Sequence, residues 1–400
     1  MDAGWRTVSI CAQDMLSSDA AYEQMQYVGD SRVHNLALLT LTGDDRLTRN
    51  ALVQFDQSRM PDGLTLGCYP NAFYLVIPSY SLMWIDQVYD YMMWKDDKEF
   101  ISKFELGIYT VIEWFEQRRQ ANGLLGKMEW WNALGWPRHY VNGEPEGIKE
   151  GGNALYSLHY AYTLQHAAEI FEYIGKPLQA QEYKKRADEI VKAVNLLCKN
   201  QDGFYTESPS NNKVSQITNI MAILVDATKG KEAQDLMRKL LEPKDWYGQV
   251  DLFLHLYLFE AMNKTGVQEP FISELSEWKL MQKRGMSTYA EVPLEWGEEN
   301  QRSECHPWSA APNYFFFRTI CGIKPVAIGH RVVEIAPSFG ALKQMNVVYP
   351  HQLGNIEMNL KKEGTHVSGS ITIPTGMKAS FKWQGKEYEL KSGVQNKINF

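Results

Sequence analysis

Residues 157–197 read SLHYAYTLQHAAEIFEYIGKPLQAQEYKKRADEIVKAVNLL, and this stretch decides the fold class. Leu158, Ala161, Leu164, Ala168 and Phe171 recur at the three- and four-residue spacing that lines one face of an α-helix, until Gly175, Lys176 and Pro177 break the pattern. Glycine ends a helix because it adopts the left-handed cap without a Cβ clash, and proline suits the first turn of the helix that follows. Tyr183, Ala187, Ile190, Val194 and Leu197 then resume the helical period. Two helices joined by so short a turn pack antiparallel, as an αα-hairpin.

The same grammar extends in both directions. Pairs of helices are predicted at 31–43 with 47–57, 80–93 with 98–120, 214–227 with 231–241, and 250–262 with 271–282. A first helix at 5–15 and a last at 311–320 bring the expectation to about twelve. Tetratricopeptide and HEAT arrays also consist of helix pairs, but with fixed periods of about 34 or about 40–47 residues. Here the spacing is irregular, and aromatic-rich loops at 63–79, 122–151 and 285–310 interrupt the pairs. Ordered loops of that length more often build a binding site than a solenoid, which predicts a closed helical ring with its loops gathered at one end. After Gly322 the period changes to two. Ile356, Met358 and Leu360 alternate with Glu357, Asn359 and Lys361; Ile371 and Ile373 alternate with Ser370 and Thr372; Met377, Ala379, Phe381 and Trp383 alternate with Lys378, Ser380 and Lys382. Glu363-Gly364 and Gln384-Gly385 mark turns between these runs. A helical domain over 1–322 and a small antiparallel β-sandwich over 323–400 follow.

With 400 residues and 44% hydrophobic content, the chain can bury two cores of that kind. Lys and Arg number 41 against 48 Asp and Glu, without a block of like charge, so neither nucleic acid nor an anionic membrane surface is expected as a partner. The five cysteines (Cys11, Cys68, Cys198, Cys305, Cys321) are an odd, scattered set with no Cys-x-x-Cys pair; they read as reduced, mostly buried thiols rather than a disulfide framework or zinc knuckle. No apolar run approaches the roughly 20 residues of a membrane span. The opening MDAGWRTVSI carries no secretion signal and leads almost at once into a helix, so an upstream part of the natural protein is expected to be missing.

Phosphate loops, dinucleotide fingerprints, Gly-x-Ser-x-Gly elbows and His-Glu-x-x-His zinc helices are all missing from the sequence, so neither a metal nor another cofactor is expected and the chemistry falls to carboxylates. Three loop clusters combine acids with aromatics: DAAYEQMQYVGDSR (19–32), KMEWWNALGW (127–136) and STYAEVPLEWGEENQRSECHPWS (287–309). Sugar sites need this mixture, because apolar ring faces stack on Trp and Tyr while hydroxyls bond to Asp, Glu and His. Glycoside hydrolysis needs one carboxylic acid to protonate the leaving oxygen and a second carboxylate to act as nucleophile or to activate water. Most acidic residues coat solvated helix faces, so it is the aromatic clustering that singles out Glu23, Asp30, Glu129 and Glu291. Trp130, Trp131, Trp136 and Trp308 read equally as sugar platforms or as packing beneath the loops, and His306 as a ligand contact or a satisfied loop histidine.

Taken in order, these clusters resemble the bacterial α-L-rhamnosidases of glycoside hydrolase family 78. The segments GDDRLTRNALVQFDQSR (43–59), YPN (69–71), IPSYSLMWIDQVYDYMMWKDD (77–97), EGGNALYSLHYAYTLQHAAE (150–169) and RSECHPWSAAPNYFF (302–316) carry the resemblance across about 19–337. It implies an (α/α)6 six-hairpin catalytic domain followed by a β-sandwich, and inverting hydrolysis of terminal α-L-rhamnosides in a bacterial periplasm or cytoplasm. By position, Glu23 matches the general acid and Glu291 the general base, with Glu295 and Glu304 as alternatives in the same acidic loop. Asp30 matches a carboxylate that holds sugar hydroxyls, and Glu129 before Trp130 resembles the acid of a sugar-contacting pair. His306 and Trp308 resemble residues bordering the pocket, and Asp19, Arg32, Trp131 and Trp136 are counted with the sugar-binding set. The resemblance also shows a departure. The family's Asp five residues before the acid is Ser18 here, with Asp19 as a displaced equivalent, which predicts an altered sugar preference or weakened turnover. A six-hairpin hydrolase for another sugar and a carbohydrate-binding paralogue with little turnover are the alternatives.

Overall fold

The computed structural model describes residues 1–296 and 302–400. In chain order its helices are α1 (Asp2–Cys11), α2 (Val28–Thr42), α3 (Arg46–Gln57), α4 (Pro78–Trp94), α5 (Lys98–Ser102), α6 (Glu105–Glu116) and α7 (Ala154–Ile174). They continue as α8 (Pro177–Leu197), α9 (Gln216–Leu224), α10 (Gly230–Leu240), α11 (His255–Thr265), α12 (Ser276–Lys283) and α13 (Ala311–Phe315). Helices α2, α4, α7, α9, α11 and α13 touch in that order, and α13 returns to α2, so six inner helices close a ring. The inner helices are buried nearly all round, α9 at every position, whereas α3, α8 and α10 bury one stripe and turn charged residues to solvent. The division follows from composition, since a helix buried on all faces belongs inside and an amphipathic one belongs on the surface.

Local signals fix the helix ends. Asn153 caps α7 by accepting from the Tyr156 N–H at 3.0 Å, and Gly175 ends it in the left-handed conformation. Pro78 and Pro177 open α4 and α8, where a missing N–H costs nothing. The predicted helix 98–120 is instead two, α5 and α6. Phe104, 1% exposed, turns inward at the break and meets Trp84 and Phe100 edge-on, with ring centroids 5.8 and 5.1 Å away. The last predicted helix, 311–320, winds as α only through Phe315 and finishes as a π-turn, Phe316–Ile320.

Strands follow: β1 (Ile323–Pro325), β2 (Val332–Ile335), β3 (Gln344–Tyr349), β4 (Ile356–Glu363), β5 (His366–Thr372), β6 (Lys378–Trp383), β7 (Lys386–Leu390) and β8 (Gln395–Asn399). They form two four-stranded sheets, β1-β2-β6-β7 and β3-β4-β5-β8. Met358 pairs with Ile371, and both side chains are fully buried, as period-two alternation requires. One pairing departs from the antiparallel expectation: β2 and β6 run parallel, because β6 returns to the first sheet only after the chain has built three strands of the second. Where helices give way to strands, Gly322 has φ +69°, and a Cβ there would lie 2.0 Å from the Ala336 carbonyl oxygen. Only glycine lets the two backbones cross so closely.

This topology gives the ring two mouths. The loops leading into the inner helices gather at their N-terminal ends, and β1 packs near the C-terminal ends.

Candidate active site

The segment before α2 presents Glu23. Beneath it Asp19, 1% exposed, accepts from the backbone N–H groups of Ala21, Tyr22, Glu23 and Gln24 at 2.9 to 3.2 Å. A carboxylate with that many backbone donors fixes a turn, and Gln24 closes it at φ +54°. Ser18 Oγ donates to Glu23 Oε2 at 3.2 Å. Seven residues on, Asp30 occupies the first turn of α2, where its charge complements the helix N-terminus. Asp30 Oδ1 lies 2.7 Å from His306 Nε2.

The loop before α13 supplies Glu291 and His306. Glu291 is 1% exposed, and its backbone is tied at both ends: its N–H donates to the Ser303 carbonyl at 2.8 Å, and its carbonyl accepts from Trp308 Nε1 at 2.7 Å. Trp136 Nε1 donates to Glu291 Oε1 at 3.1 Å, while Glu291 Oε2 is buried without a hydrogen-bond partner. That free oxygen stands 3.9 Å from His306 Nδ1. Trp308 underlies the site, its ring centroid 4.4 Å from His306 and 5.1 Å from Phe253. Behind Trp136, Asp251 accepts from the Trp136 N–H at 2.5 Å and the Leu254 N–H at 2.7 Å.

Arg302 joins the two acidic clusters. Its Nη2 donates to Glu23 Oε1 at 2.7 Å, and its Nη1 lies 3.3 Å from Glu291 Oε1. A single planar guanidinium therefore spans Glu23 and Glu291, which places the facing oxygens within roughly 8 Å of each other. The same guanidinium lies 5.2 Å from the Trp136 ring centre and 6.0 Å from that of Tyr22. Beside it a cleft of about 430 Å3 opens between Trp136, Tyr140, Glu295 and Trp296.

The charges are unevenly balanced. Burial pushes the Glu23 carboxyl above the ordinary carboxylate range, the Asp30 and Glu291 charges add to the rise, and His306 and Arg302 oppose it. Burial alone would lower His306, but its bond to Asp30 and the nearby Glu291 and Glu23 hold it above the usual histidine value. Burial raises Asp251 to about 7 despite its backbone donors. The site thus separates a carboxyl inclined to keep its proton, Glu23, from a buried carboxylate with one unoccupied oxygen, Glu291.

Glu23, Asp30, Glu291, Trp136, His306 and Trp308 are brought together. Of the two alternative acids, Glu295 lines the adjoining cleft and Glu304 is exposed. Glu129 is paired with Arg118 at 2.7 Å, its side chain 59% exposed, and Arg118 holds its carboxyl below the usual range. Trp130 next to it is exposed at φ +68°, and Trp131 donates to the Asn142 carbonyl and reaches the site through its ring contact with Trp136, 5.9 Å between centroids. Two residues expected to contact sugar occupy other positions. Asp19 spends both carboxylate oxygens on the backbone beneath Glu23. Arg32 is fully buried inside the ring, bonded to Asp90 at 2.9 Å and to the Tyr162 and Tyr257 hydroxyls. Sequence reading missed Arg302 and Asp251; Asp251 had a signal, since an Asp three residues before Leu254 at the start of an apolar helix is a typical capping arrangement.

Residues 3–320 match the family described as bacterial alpha-L-rhamnosidase 6 hairpin glycosidase domain, and residues 322–397 match the bacterial alpha-L-rhamnosidase C-terminal domain. Among solved structures, the chain is similar to a GH78 family rhamnosidase of Bacillus sp. GL1, with TM-score 0.83 and 24% identity over 90% of this chain and 39% of that one. It is also similar to the α-L-rhamnosidase of Aspergillus terreus (TM-score 0.85, 14% identity, 99% of this chain and 48% of that one). A third is the α-L-rhamnosidase of Streptomyces avermitilis, solved with L-rhamnose (TM-score 0.79, 15% identity, 98% and 41%). The chain spans less than half the length of each of these three, and at such identities the likeness shows the fold. No curated protein matches the chain.

Proposed function

Because this chain belongs to the bacterial α-L-rhamnosidase family of six-hairpin glycosidases, we propose that it hydrolyses terminal α-L-rhamnosyl linkages with inversion at the anomeric carbon. In this reading Glu23 is the general acid and Glu291 the general base. The sugar takes the space that Arg302 now fills between them. Glu23 passes its proton to the glycosidic oxygen as the bond to the anomeric carbon breaks, and the aglycone leaves as an alcohol. Water held at the free oxygen of Glu291 loses a proton to it and attacks the opposite face of the anomeric carbon. Asp30 and His306, bonded to each other, line the sugar side of the pocket, and Trp136 fixes the second oxygen of Glu291 so that its partner-free oxygen points at the water.

The observation that carries this reading is the asymmetry of the pair: burial and neighbouring charge favour the proton on Glu23, while Glu291 keeps one buried oxygen without a partner. Inverting enzymes hold their carboxyls roughly 6.5–9.5 Å apart to leave room for water, a range that a single bridging guanidinium can span. The test is proton NMR of the first product released from an aryl α-L-rhamnoside. β-L-Rhamnose is expected first, and first-formed α-L-rhamnose refutes inversion. Glu23→Gln and Glu291→Gln should each cut kcat by about 10²- to 10⁴-fold while the protein stays folded. Full activity in both variants overturns the acid and base roles, and cleavage of other aryl glycosides but never the rhamnoside overturns the substrate.

A further inference from the structure

At the end of the ring remote from Glu23 and Glu291, the C-terminal ends of the inner helices and the first strand of the sandwich enclose a second cavity of about 450 Å3. The Arg32 cluster with Asp86, Asp90, Tyr162 and Tyr257 forms a plug between the two mouths. The volume falls within the roughly 300–1,000 Å3 of small-molecule sites.

Its lining is unusual in charge. Three cations, Lys264, Arg318 and Lys324, and three carboxylates, Asp90, Glu169 and Glu260, border it; Lys264 pairs with Asp226 and Asp90 with Arg32, yet among the described residues none of the other four forms an ion pair within 4.0 Å. Arg318 donates through Nη1 to the Tyr314 hydroxyl at 3.0 Å, and its Nε is buried without a partner. Glu260 Oε2 accepts from the Tyr162 hydroxyl at 2.8 Å. His330, 1% exposed on the cavity wall, has no hydrogen bond at either ring nitrogen, and sits edge-on to Trp94 with centroids 5.2 Å apart. Burial pushes its pKa down to about 3, so the neutral ring has one donor and one acceptor unmet. Buried polar groups without partners are costly, and native proteins rarely keep several of them around one empty space.

We infer that this far mouth is a second, non-catalytic carbohydrate site that takes a neutral mono- or disaccharide. A ligand of one net charge would be attracted by half of this wall and repelled by the other half. A hydroxyl both donates and accepts, so a sugar can bond to Glu260 and to Arg318 with the same kind of group, and Trp94 and Tyr89 add aromatic surface to the lining for its apolar side. Among the described residues no cation bridges two of these carboxylates as Arg302 bridges Glu23 and Glu291, so binding without cleavage is assigned.

Crystals soaked in L-rhamnose, in maltose and in L-glutamine, a zwitterion that tests the competing ligand chemistry, give the direct answer, with calorimetric titration of the same compounds in solution. A sugar is expected at the far mouth between Glu260 and Arg318, together with a second binding event in solution. Arg318→Met and Glu260→Gln should weaken that event at least tenfold while leaving turnover and active-site affinity unchanged. Lys324→Met, on the sandwich side, provides the same test if a ring variant melts early. The inference is overturned if soaks that fill the catalytic mouth leave only water at the far one. It is equally overturned if glutamine binds there and neither sugar does, if density in the crystal has no matching event in solution, or if folded variants titrate as the wild type.

Discussion

Replacing Arg32 by Met separates the two roles that this residue has been given. Its guanidinium is fully buried, 2.9 Å from Asp90 and 3.6 Å from Asp86, and Asp86 is itself fully buried. Removing one partner of a buried ion pair costs about 3–5 kcal/mol, because the opposite charge stays behind unpaired. Here the lower end applies. Asp86 keeps His166 Nδ1 at 2.9 Å and His159 at 3.6 Å, and Asp90 opens onto the far cavity, where water can reach it. We expect Arg32→Met to lose about 3 kcal/mol, a large share of the roughly 5–15 kcal/mol typical of a folded domain. Burial raises the Asp86 carboxyl, but Arg32 and the two histidines outweigh it and hold the group below its ordinary range. A depressed carboxylate stabilises the fold above its unfolded pKa of about 3.9, and that stabilisation disappears as pH falls through the folded value. The gap between variant and wild type should therefore narrow toward pH 3. Urea midpoints across pH measure this, and adding Asp90→Asn should restore part of the loss, as coupled neighbours do. A variant with wild-type stability and a tenfold higher KM would refute the argument and return Arg32 to the sugar site.

Two further expectations concern catalysis. Asp30 raises the Glu23 carboxyl and Arg302 lowers it, so Asp30→Asn should move the alkaline limb of kcat/KM to lower pH and Arg302→Met should move it to higher pH. Shifts in one common direction, or none, would show that Glu23 is not the acid being titrated. Trp136→Phe removes the 3.1 Å donor to Glu291 and should lower kcat/KM by about 10- to 100-fold, as expected for a hydrogen bond to a charged group, without changing Tm. A lower Tm with unchanged turnover would make Trp136 a packing residue alone.

What could be read from the sequence was what local pattern determines. The helix pair α7 and α8 was visible because its stripe, its Gly175 stop and its Pro177 start all lie within one continuous stretch. The break at Phe104 was not, since it arises from a ring contact with Trp84 on the facing arm of the same hairpin, 20 residues back in the chain. Arg32 shows the same limit at closer range. Two residues after Asp30 it looks like part of one cluster, but each residue turns an α-helix by about 100°, so the two side chains point to nearly opposite sides. Arg302 was invisible for the opposite reason: its role rests on Glu23, 279 residues away in the chain.

The segment just before Glu23 is where the sequence reading expects a departure from the family pattern, and its geometry bears on the proposed turnover. A carboxylate at position 18 would stand where Ser18 Oγ now donates to Glu23, adding a like charge and raising the Glu23 carboxyl further. Serine withholds that charge, yet burial, Asp30 and Glu291 already raise Glu23 without it. Nor does the exchange loosen the loop, because Asp19, one place on, carries four successive N–H groups on its carboxylate. Glu23 is thus presented by Asp19 from below, steadied by Ser18 on one oxygen and held by Arg302 on the other. Serine at position 18 therefore bears on how tightly Glu23 keeps its proton, while the two carboxylates proposed to carry out hydrolysis, Glu23 and Glu291, remain in place.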